Sequence, residues 1–505
     1  MAELVGIDLG TTNTVMAYLD ESGDPKIQVN TAGENLTPSA VHIDEQKNVL
    51  VGTEAIKQAE FGFRIWTEFK RDIGNDVGNN EKYGTVQQIE ITPEVLSTFV
   101  LRKLKHDFEM ARSSDISNTA ITYPANFADK RREASLSSGK LADWPVGLGI
   151  NEPSAAALYF AMKENLLPGK YAIYDFGGGT WDISIIEVEG TETTVVDTSG
   201  IVQCGGKDFD EKLKDLVNEK FMSETGVAIE ESLQAPGIFE GTKKSLSIRD
   251  ETNVAIRQQN GPPVTLSVTR AEFESAISTL IAQTEIVCSS LFTKYPDIVQ
   301  VLLVGGSTRV PAVKQSVEKT FGKTPLSVGN PDEVVALGAA IYAGLRAEST
   351  SLNQAQSELL SKVNFNEIAN HYLGVSALQL NESSGNFESQ PSYIINKGTK
   401  IPCTITEPYY TVAYGQENVK LEVLQASIPE TDKRFVNVLW EGNLPLPSGL
   451  KEGERIDVTF EISEDGVIHC SFSHEPSGRN EKVSLSPQYE LNEAKKSAIE
   501  AFFVE

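Results

Sequence analysis

Two kinds of hydrophobic pattern divide the chain. Up to residue 345, apolar runs typical of buried strands alternate with segments of helical periodicity, which predicts an α/β architecture with mixed sheets. From Tyr372 onward apolar and charged residues alternate, which predicts an antiparallel sheet with one solvated face. Helices are predicted over 95–112, 125–142, 153–163, 207–224, 270–293, 310–321 and 334–345, and strands over 119–122, 193–196, 419–423, 456–462 and 467–472.

This pattern predicts four consecutive segments. An α/β domain spans 1–345, and a polar linker over 346–370 joins it to a β-rich domain over 371–490. The last stretch, 491–505, is predicted as one short helix.

Two short segments far apart repeat one arrangement. In each, an apolar strand ends in an aspartate, Asp8 or Asp175, and a glycine- and threonine-rich turn follows. Such a turn predicts a β-hairpin whose backbone N–H groups converge on an anion. Each aspartate suits a hydrated magnesium ion, which prefers oxygen ligands and keeps several waters. Together the two turns predict two related halves that close on a metal–polyphosphate from opposite sides.

A third segment strengthens this interpretation. The apolar run 301–304 leads into Gly305-Gly306, and Pro311 suits the first turn of a following helix. A buried strand, a glycine turn and a helix N-terminus recur in nucleotide-binding sites. Alone, the segment fits an ordinary strand–helix unit better, and the other two turns make nucleotide binding the favoured interpretation.

Composition argues against nucleic-acid and membrane partners and indicates a reducing compartment. The net charge of −27 over 505 residues argues against nucleic acid or an anionic membrane as the main partner. The four cysteines, Cys204, Cys288, Cys403 and Cys470, lack metal-ligand spacing and fit a reducing compartment. We see no signal peptide and no apolar run of membrane-spanning length, and we expect a cytoplasmic protein.

Co-linear motifs resemble the seventy-kilodalton heat-shock chaperones of DnaK type. They are 6–14 (GIDLGTTNT), 69–71 (FKR), 123–127 (YPANF), 151–157 (NEPSAAA), 174–182 (YDFGGGTWD), 205–210 (GGKDFD), 304–311 (VGGSTRVP) and 330–333 (NPDE). The resemblance implies an actin-like (ribonuclease H-like), two-lobed α/β ATPase domain over 1–345, followed by a C-terminal antiparallel β-sandwich that binds peptide. It covers 4–345 densely and 372–490 more loosely.

The resemblance also implies a site for ATP or ADP with Mg²⁺. Lys70, which would hold the attacking water, forms the catalytic set with Glu152, Asp175, Thr180 and Asp182. Asp8 and Asp175 would hold the metal through water. The residues implied to bind the nucleotide are Gly10, Thr11, Thr12, Asn13, Gly177, Gly178, Gly179, Gly205, Gly206, Glu240, Lys243, Lys244, Ser247, Gly305, Gly306, Ser307, Arg309 and Asp332.

Some of these residues have simpler interpretations. Lys70 lies in a charged run that would otherwise be a solvated surface, and Glu152 suits a helix N-terminus. Glu240 and Lys244 are spaced as an i,i+4 surface pair. The residues aligned with the family's peptide cleft could equally be sandwich core; they are Val375, Leu378, Tyr409, Val412, Val419 and Leu421.

The chain also departs from the family pattern. Lys244 stands where the family usually has an arginine stacked on adenine, and lysine lacks the planar face for stacking. The segment between Lys70 and Glu94 is short, and most of the helical lid is missing apart from 491–505. The linker lacks the family's aspartate-plus-leucine run, and polar residues interrupt its apolar ones. We therefore expect weak coupling between the two domains and fast peptide release in every nucleotide state.

Three functions are compared. The leading one is an ATP-hydrolysing chaperone that binds unfolded or extended polypeptide, with a J-domain co-chaperone and a nucleotide-exchange factor as further partners. The second is a regulator that binds ATP, hydrolyses little and docks a partner protein; the altered linker favours it. The third is a small-molecule kinase of the same superfamily, which would have no use for the β-rich part.

Overall fold

The computed structural model describes residues 3–77, 81–112, 114–163, 166–380, 385–464, 466–485 and 493–504. Its strands are β1 Glu3–Leu9, β2 Asn13–Leu19, β3 Pro25–Ile27, β4 Thr37–Pro38, β5 Ala40–Ile43, β6 Asn48–Val51, β7 Trp66–Thr67, β8 Thr85–Val86, β9 Ile89–Glu90, β10 Ile116–Tyr123, β11 Val146–Asn151, β12 Gly169–Phe176, β13 Trp181–Glu189, β14 Glu192–Ile201, β15 Glu251–Ile256, β16 Val264–Thr269, β17 Ile298–Val304, β18 Asn364–Asn366, β19 Tyr372–Leu380, β20 Phe387–Ile395, β21 Cys403–Tyr410, β22 Asn418–Ala426, β23 Asn437–Pro445, β24 Arg455–Ile462, β25 Ile468–His474, β26 Arg479–Ser484 and β27 Phe503–Val504. Its α-helices are α1 Thr53–Glu60, α2 Pro93–Ala111, α3 Asp129–Leu141, α4 Glu152–Lys163, α5 Gly206–Thr225, α6 Ile238–Ile248, α7 Arg270–Lys294, α8 Pro311–Phe321, α9 Val334–Leu345, α10 Gln354–Leu360 and α11 Glu493–Glu500.

The seven helices predicted within 95–345 are all present, with ends shifted by a few residues. The largest shift is at α3, which begins at Asp129 because the preceding residues form a turn in which Phe127 N–H donates to the Pro124 carbonyl. Three short helices, α1, α6 and α10, were not predicted. The predicted helix over 491–505 is α11 followed by β27; residues 491, 492 and 505 lie outside the described part of the chain.

The N-terminal part is built in layers around two mixed sheets. The first sheet has the order β11-β10-β1-β2-β3 with β4 on β2, and the second has the order β17-β12-β13-β14-β18. Helices α4 and α9 lie between them and share one apolar core with both sheets. Helix α2 covers the outer face of the first sheet, and α5, α7 and α8 cover the second. The carboxyl ends of β1 and β12 therefore face the same cleft.

The linker is packed against the N-terminal part. Strand β18 pairs in parallel with β14, and Asn364 N–H donates to the Thr191 carbonyl at 2.8 Å. Val363 and Phe365 are buried in the core between the sheets, while Asn364 between them is exposed. Asn364 thus takes the outward position of this edge strand, whereas the polar Glu367 that follows it is buried. The linker therefore docks on the N-terminal part without a continuous leucine run.

Residues from β19 to β26 form two four-stranded antiparallel sheets with one shared core, called here the sandwich. One sheet has the order β20-β19-β22-β23 and the other β21-β24-β25-β26. The predicted alternation over 419–423 and 456–462 falls in β22 and β24. In the predicted turn before β25, Asp465 lies outside the described residues.

The sandwich contacts the N-terminal part through a few polar groups. Gln425 Nε2 donates to Asp129 Oδ2 at 3.0 Å, and Arg132 Nη2 donates to the Gly466 carbonyl at 3.3 Å. Arg346 Nη1 lies 2.6 Å from Glu464 Oε2. Among the described residues, Tyr342 OH also donates to the Glu464 carbonyl at 3.5 Å, so hydrogen bonds and an ion pair contribute to docking of the sandwich.

Candidate functional site

The two glycine turns face each other across the cleft. The turn between β1 and β2 and the turn between β12 and β13 close two antiparallel hairpins. A Cβ placed on Gly178 would lie 2.1 Å from Thr12 Oγ1, and one on Gly179 would lie 2.5 Å from Thr11 Oγ1. Only residues without a side chain allow this approach. The hairpins predicted from the sequence are confirmed, and they form the two sides of one cradle.

The third predicted segment reaches the same cradle. Strand β17 pairs in parallel with β12, and Gly305 follows it with φ +82°. A Cβ on Gly305 would meet the Phe176 carbonyl oxygen at 2.4 Å, and one on Gly306 would meet Asp332 Oδ1 at 2.6 Å. A short 3₁₀ turn, Gly306–Arg309, precedes the helix that begins at Pro311.

A buried lysine lies among carboxylates at the bottom of the cleft. Lys70 is 3% exposed, and its Nζ donates to Glu152 Oε1 at 2.5 Å. Asp8 Oδ1 accepts a hydrogen bond from Thr122 Oγ1 at 2.9 Å, and Asp175 pairs with Asp182 in the β12–β13 register. The solvated-surface interpretation of Lys70 is therefore wrong, because its ammonium group lies inside the protein.

Burial raises the pKa of these carboxyl groups. Desolvation, with the nearby Glu152 charge, raises the pKa of Asp8 to about 7. The same causes raise the pKa of Asp182 to about 8 and that of Asp175 well above its ordinary value. Asp182 Oδ1 is buried and has no hydrogen-bond partner among the described residues. One ammonium group does not neutralise this cluster, and the site suits an added cation.

These oxygens do not form a direct metal cage. Within the described part of the chain, no three histidine, cysteine, aspartate or glutamate side chains lie close enough to chelate an ion. Magnesium usually keeps several waters and is held by one or two carboxylates together with phosphates. The donor set and the glycine cradle fit a hydrated Mg²⁺ with a polyphosphate.

Two adjoining cavities contain most of the predicted nucleotide residues. The inner one, about 80 Å³, is lined by the two turns, Asp8, Lys70, Glu152 and Asp175. The outer one, about 550 Å³, is lined by residues of α5, α6 and the β17–α8 connection. The predicted residues on the outer cavity are Thr12, Asn13, Gly178, Gly206, Glu240, Lys243, Lys244, Ser247, Gly306, Ser307, Arg309 and Asp332. Gly205 and Asp182 line neither cavity; Gly205 packs against the Gly178 backbone.

Side chains in the outer cavity are held by neighbouring charges. Lys243 Nζ donates to the Gly206 carbonyl at 2.7 Å and lies 2.7 Å from Asp210 Oδ1. Lys244 is mostly exposed and pairs with Glu240 at 2.8 Å, so the predicted i,i+4 pair is present at the cavity rim. Arg309 Nη2 lies 2.6 Å from Asp332 Oδ2.

Two ion pairs cross the cleft and were not predicted. Arg71 Nη2 lies 2.9 Å from Asp208 Oδ1, and Lys207 Nζ lies 3.8 Å from Glu68 Oε1. Asp208 also accepts from Gly205 N–H at 2.8 Å at the start of α5. Arg71, Lys207 and Asp208 belong to two motifs that the sequence analysis recognised, and Glu68 precedes the first of them, but only the fold shows that these motifs meet.

The six residues aligned with the peptide cleft all line one cavity of about 1030 Å³ in the sandwich. Val375 and Leu421 also belong to the sandwich core, whereas Leu378 and Val412 are at least half exposed. Tyr409 OH donates to Ser392 Oγ at 2.9 Å. Aromatic rings missed from the sequence, Phe387, Tyr410 and Phe472, lie on the same cavity. All six residues thus line the cavity, and two of them, Val375 and Leu421, are also core residues.

One helix, α7, passes a length-and-composition test for a membrane span, within the described residues. The sequence analysis found no such run. Phe273, Ile277 and Ile281 of this helix pack into the core beneath the second sheet. These apolar residues of α7 therefore pack inside the protein.

The fold and the cradle define an α/β nucleotide-binding protein with an attached sandwich, and comparisons with known proteins give its family. The Hsp70 protein family matches residues 4–502. The DnaK chaperones of Thermotoga petrophila and Thermotoga neapolitana are each 33% identical over 507 residues, which cover 97% of this chain and 81% of the relative. DnaK of Thermosipho africanus is 33% identical over 506 residues, with the same coverage.

The chain therefore belongs to the Hsp70 family, whose members are ATP-binding heat-shock chaperones with ATPase activity that act in protein folding. The resemblance described from the sequence motifs is confirmed.

Proposed function

We propose that this protein is an ATP-hydrolysing chaperone whose N-terminal part has actin-like lobes and whose sandwich binds extended polypeptide. The observation that supports this most strongly is the pair of opposed glycine turns above the Lys70–Glu152 pair. In this proposal the first sheet with its helices is one lobe and the second sheet with its helices is the other. The domain boundaries are those predicted from the sequence, at 345, 370 and 490.

The cradle would bind the phosphates of ATP or ADP. Backbone N–H groups of the two turns, with the Thr11 and Thr12 hydroxyls, donate to phosphate oxygens. Asp8 and Asp175 would hold Mg²⁺ through water, and the ion would supply charge neutralisation and hold the phosphates in place. The nucleoside would occupy the outer cavity, between α6 and Arg309.

Hydrolysis would depend on positioning and on charge stabilisation. Glu152 holds the Lys70 ammonium group in place, and Lys70 would donate to the attacking water and to the charge that develops on the γ-phosphate. Thr180 and Asp182 complete the polar surface around the water. Burial strengthens each of these interactions, because little water screens them.

The sandwich cavity would accept an extended apolar segment. Its lining combines aliphatic side chains with Phe387, Tyr409 and Tyr410, and its volume of about 1030 Å³ is enough for several side chains. Backbone hydrogen bonds to a sheet edge would give affinity for any sequence, and the apolar lining would select the side chains. Docking of β18 on the second sheet offers a route by which the nucleotide state can affect this cavity.

We place the protein in the cytoplasm, with a J-domain co-chaperone and a nucleotide-exchange factor as partners, as for its DnaK relatives. The regulator with little hydrolysis is the less favoured alternative, because the structure brings Asp8, Lys70, Glu152, Asp175 and Thr180 to one cavity.

The test is ATP turnover with and without an unfolded peptide. We expect magnesium-dependent hydrolysis that the peptide accelerates. Hydrolysis that the peptide leaves unchanged would contradict substrate binding by the sandwich. ATP binding with no turnover would instead support the regulator.

A further inference from the structure

The tail segment, residues 493–504, crosses back to the first half of the molecule. Helix α11 lies beside α2, and β27 pairs in parallel with β6, with Phe503 N–H donating to the Lys47 carbonyl at 3.0 Å. The small sheet then has the order β27-β6-β5-β7. Without the tail segment, β6 would be an edge strand with unpaired backbone groups.

Side chains of the tail segment enter the core of the N-terminal part. Ile499 is 0% exposed and Phe502 is 4% exposed, and both belong to the apolar cluster of α2 and the first sheet. The Phe502 ring lies 5.2 Å from that of Phe99 on α2. The next residue, Phe503, is 63% exposed. Ile499 and Phe502 are thus buried against the N-terminal part, whereas Phe503 faces solvent.

A half-buried arginine, Arg102, contacts the end of α11. Arg102 Nη1 donates to the Ile499 carbonyl at 3.0 Å, and its Nη2 donates to the Leu141 carbonyl at 3.2 Å, at the end of α3. A guanidinium group between the carboxyl ends of two helices is favoured by both dipoles. Helix α3 carries Asp129 and Arg132, which contact the sandwich, near its other end.

We propose that β6 and α2 form a binding site for the tail segment, and that the segment acts as a strap holding the sandwich against the N-terminal part. The site works by strand addition to an edge, with Ile499 and Phe502 as anchors. Residues 486–492 connect the strap to the sandwich, so the sandwich is tethered at both ends, by the linker and by the strap. A second short tether raises the effective concentration of the docked arrangement. This compensates for the few polar contacts at the interface.

Hydrogen–deuterium exchange on the full-length chain tests this proposal. We compare Phe502→Asp with Phe503→Asp, which adds the same charge one residue away on an exposed side chain. Phe502→Asp is expected to accelerate exchange by about tenfold in β6 and also in β18 and around Gln425. Phe503→Asp is expected to leave these segments close to the wild-type rate.

Two results would overturn the proposal. Unchanged exchange in β6 would show that the strap is not bound in solution. Faster exchange in β6 alone, with β18 and the sandwich contacts unaffected, would show that the strap binds but does not hold the sandwich.

A binding measurement gives independent evidence. A fluorescent peptide of residues 493–505 should bind the Phe502→Asp chain, whose site is vacated, at least about tenfold more tightly than the wild type, whose own strap competes. The same peptide carrying Phe502→Asp should not bind. Equal binding to both chains would contradict the site. If Phe502→Asp does not fold, a chain ending at Asn492 takes its place in both experiments.

Discussion

At the scale of single residues, the decisive feature is a cluster of carboxylates around one lysine. Asp8, Asp175 and Asp182 lie with Glu152 around Lys70 in a buried site, and burial raises the pKa of the three aspartates. Lys70 supplies an ammonium group to this set, and its Nζ donates to Glu152 Oε1.

Lys70→Ala should stop hydrolysis and leave ATP binding nearly intact. The ammonium group acts on charge that develops in the transition state, so its loss should raise the barrier by about 2–4 kcal/mol. Single-turnover hydrolysis and nucleotide binding measure the two effects separately. Lys57→Ala, on the exposed Lys57–Glu54 pair, is the control. An unchanged turnover rate for Lys70→Ala would rule out the assigned role.

Asp8→Asn should change how stability depends on pH when magnesium and nucleotide are absent. The pKa of Asp8 is raised from 3.8 to about 7 in the folded protein. The folded state therefore binds this proton more tightly, and its stability falls as pH rises from about 4 to 7. The asparagine variant should be more heat-stable than wild type at pH 8, by at least about 2 °C, with little difference at pH 4. A difference of equal size at both pH values would contradict this origin.

At the scale of elements, the linker shows how an edge strand can dock with few apolar residues. Val363 and Phe365 point into the core, while Asn364 points outward. Helix α10 strengthens the attachment, since Asn353 caps its N-terminus and Asn353 Nδ2 donates to the Glu21 carbonyl at 2.9 Å. The linker is thus attached to the N-terminal part through helix α10 before Val363 and through strand β18, which contains Phe365.

Phe365→Asp should release β18 and uncouple the sandwich from nucleotide. Burying a carboxylate in the core between the sheets is costly, so the strand should leave. We expect wild-type peptide off-rates to differ by more than about tenfold between the ATP and ADP states, and those of the variant by much less. Stopped-flow release of a labelled peptide measures both. Asn364→Asp is the matched control. If the peptide off-rates of the wild type differ by less than about tenfold between the ATP and ADP states, the weak coupling expected from the sequence is supported instead.

At the scale of the whole molecule, polar contacts join the sandwich to the N-terminal part, and we propose that the strap adds to them. The Arg346–Glu464 pair joins α9 to the turn before β25, and Glu464 is largely exposed. An exposed ion pair contributes about 0.2–1 kcal/mol. No single pair of this kind can hold the interface alone.

A double-mutant cycle should measure this contribution. Arg346→Glu should loosen docking by about 0.2–1 kcal/mol, and adding Glu464→Arg should recover part of the loss. Energy transfer between dyes on the N-terminal part and on the sandwich reports the docked fraction. High salt should reduce the coupling between the two sites. Additive effects of the two substitutions would show that the pair does not contribute to docking.

The amino-acid sequence by itself determined the long elements and the family. Helices such as α2, α5 and α7 carry several turns of apolar periodicity, and the glycine turns stand out as short motifs after apolar strands. These signals are local, so they can be read without a structure. Lys70 was identified only through its motif, since its own neighbours are charged.

The tertiary structure decided which segments meet. Short elements such as α1 and α10 have too few turns for a clear periodicity, and their stability comes from packing. The linker strand and the strap each gain hydrogen bonds from a distant strand, β14 or β6, and a two- or three-residue strand has no stability without that partner. The ion pairs across the cleft and the contacts of the strap also emerged only from the fold. Both depend on contacts between residues far apart in the chain.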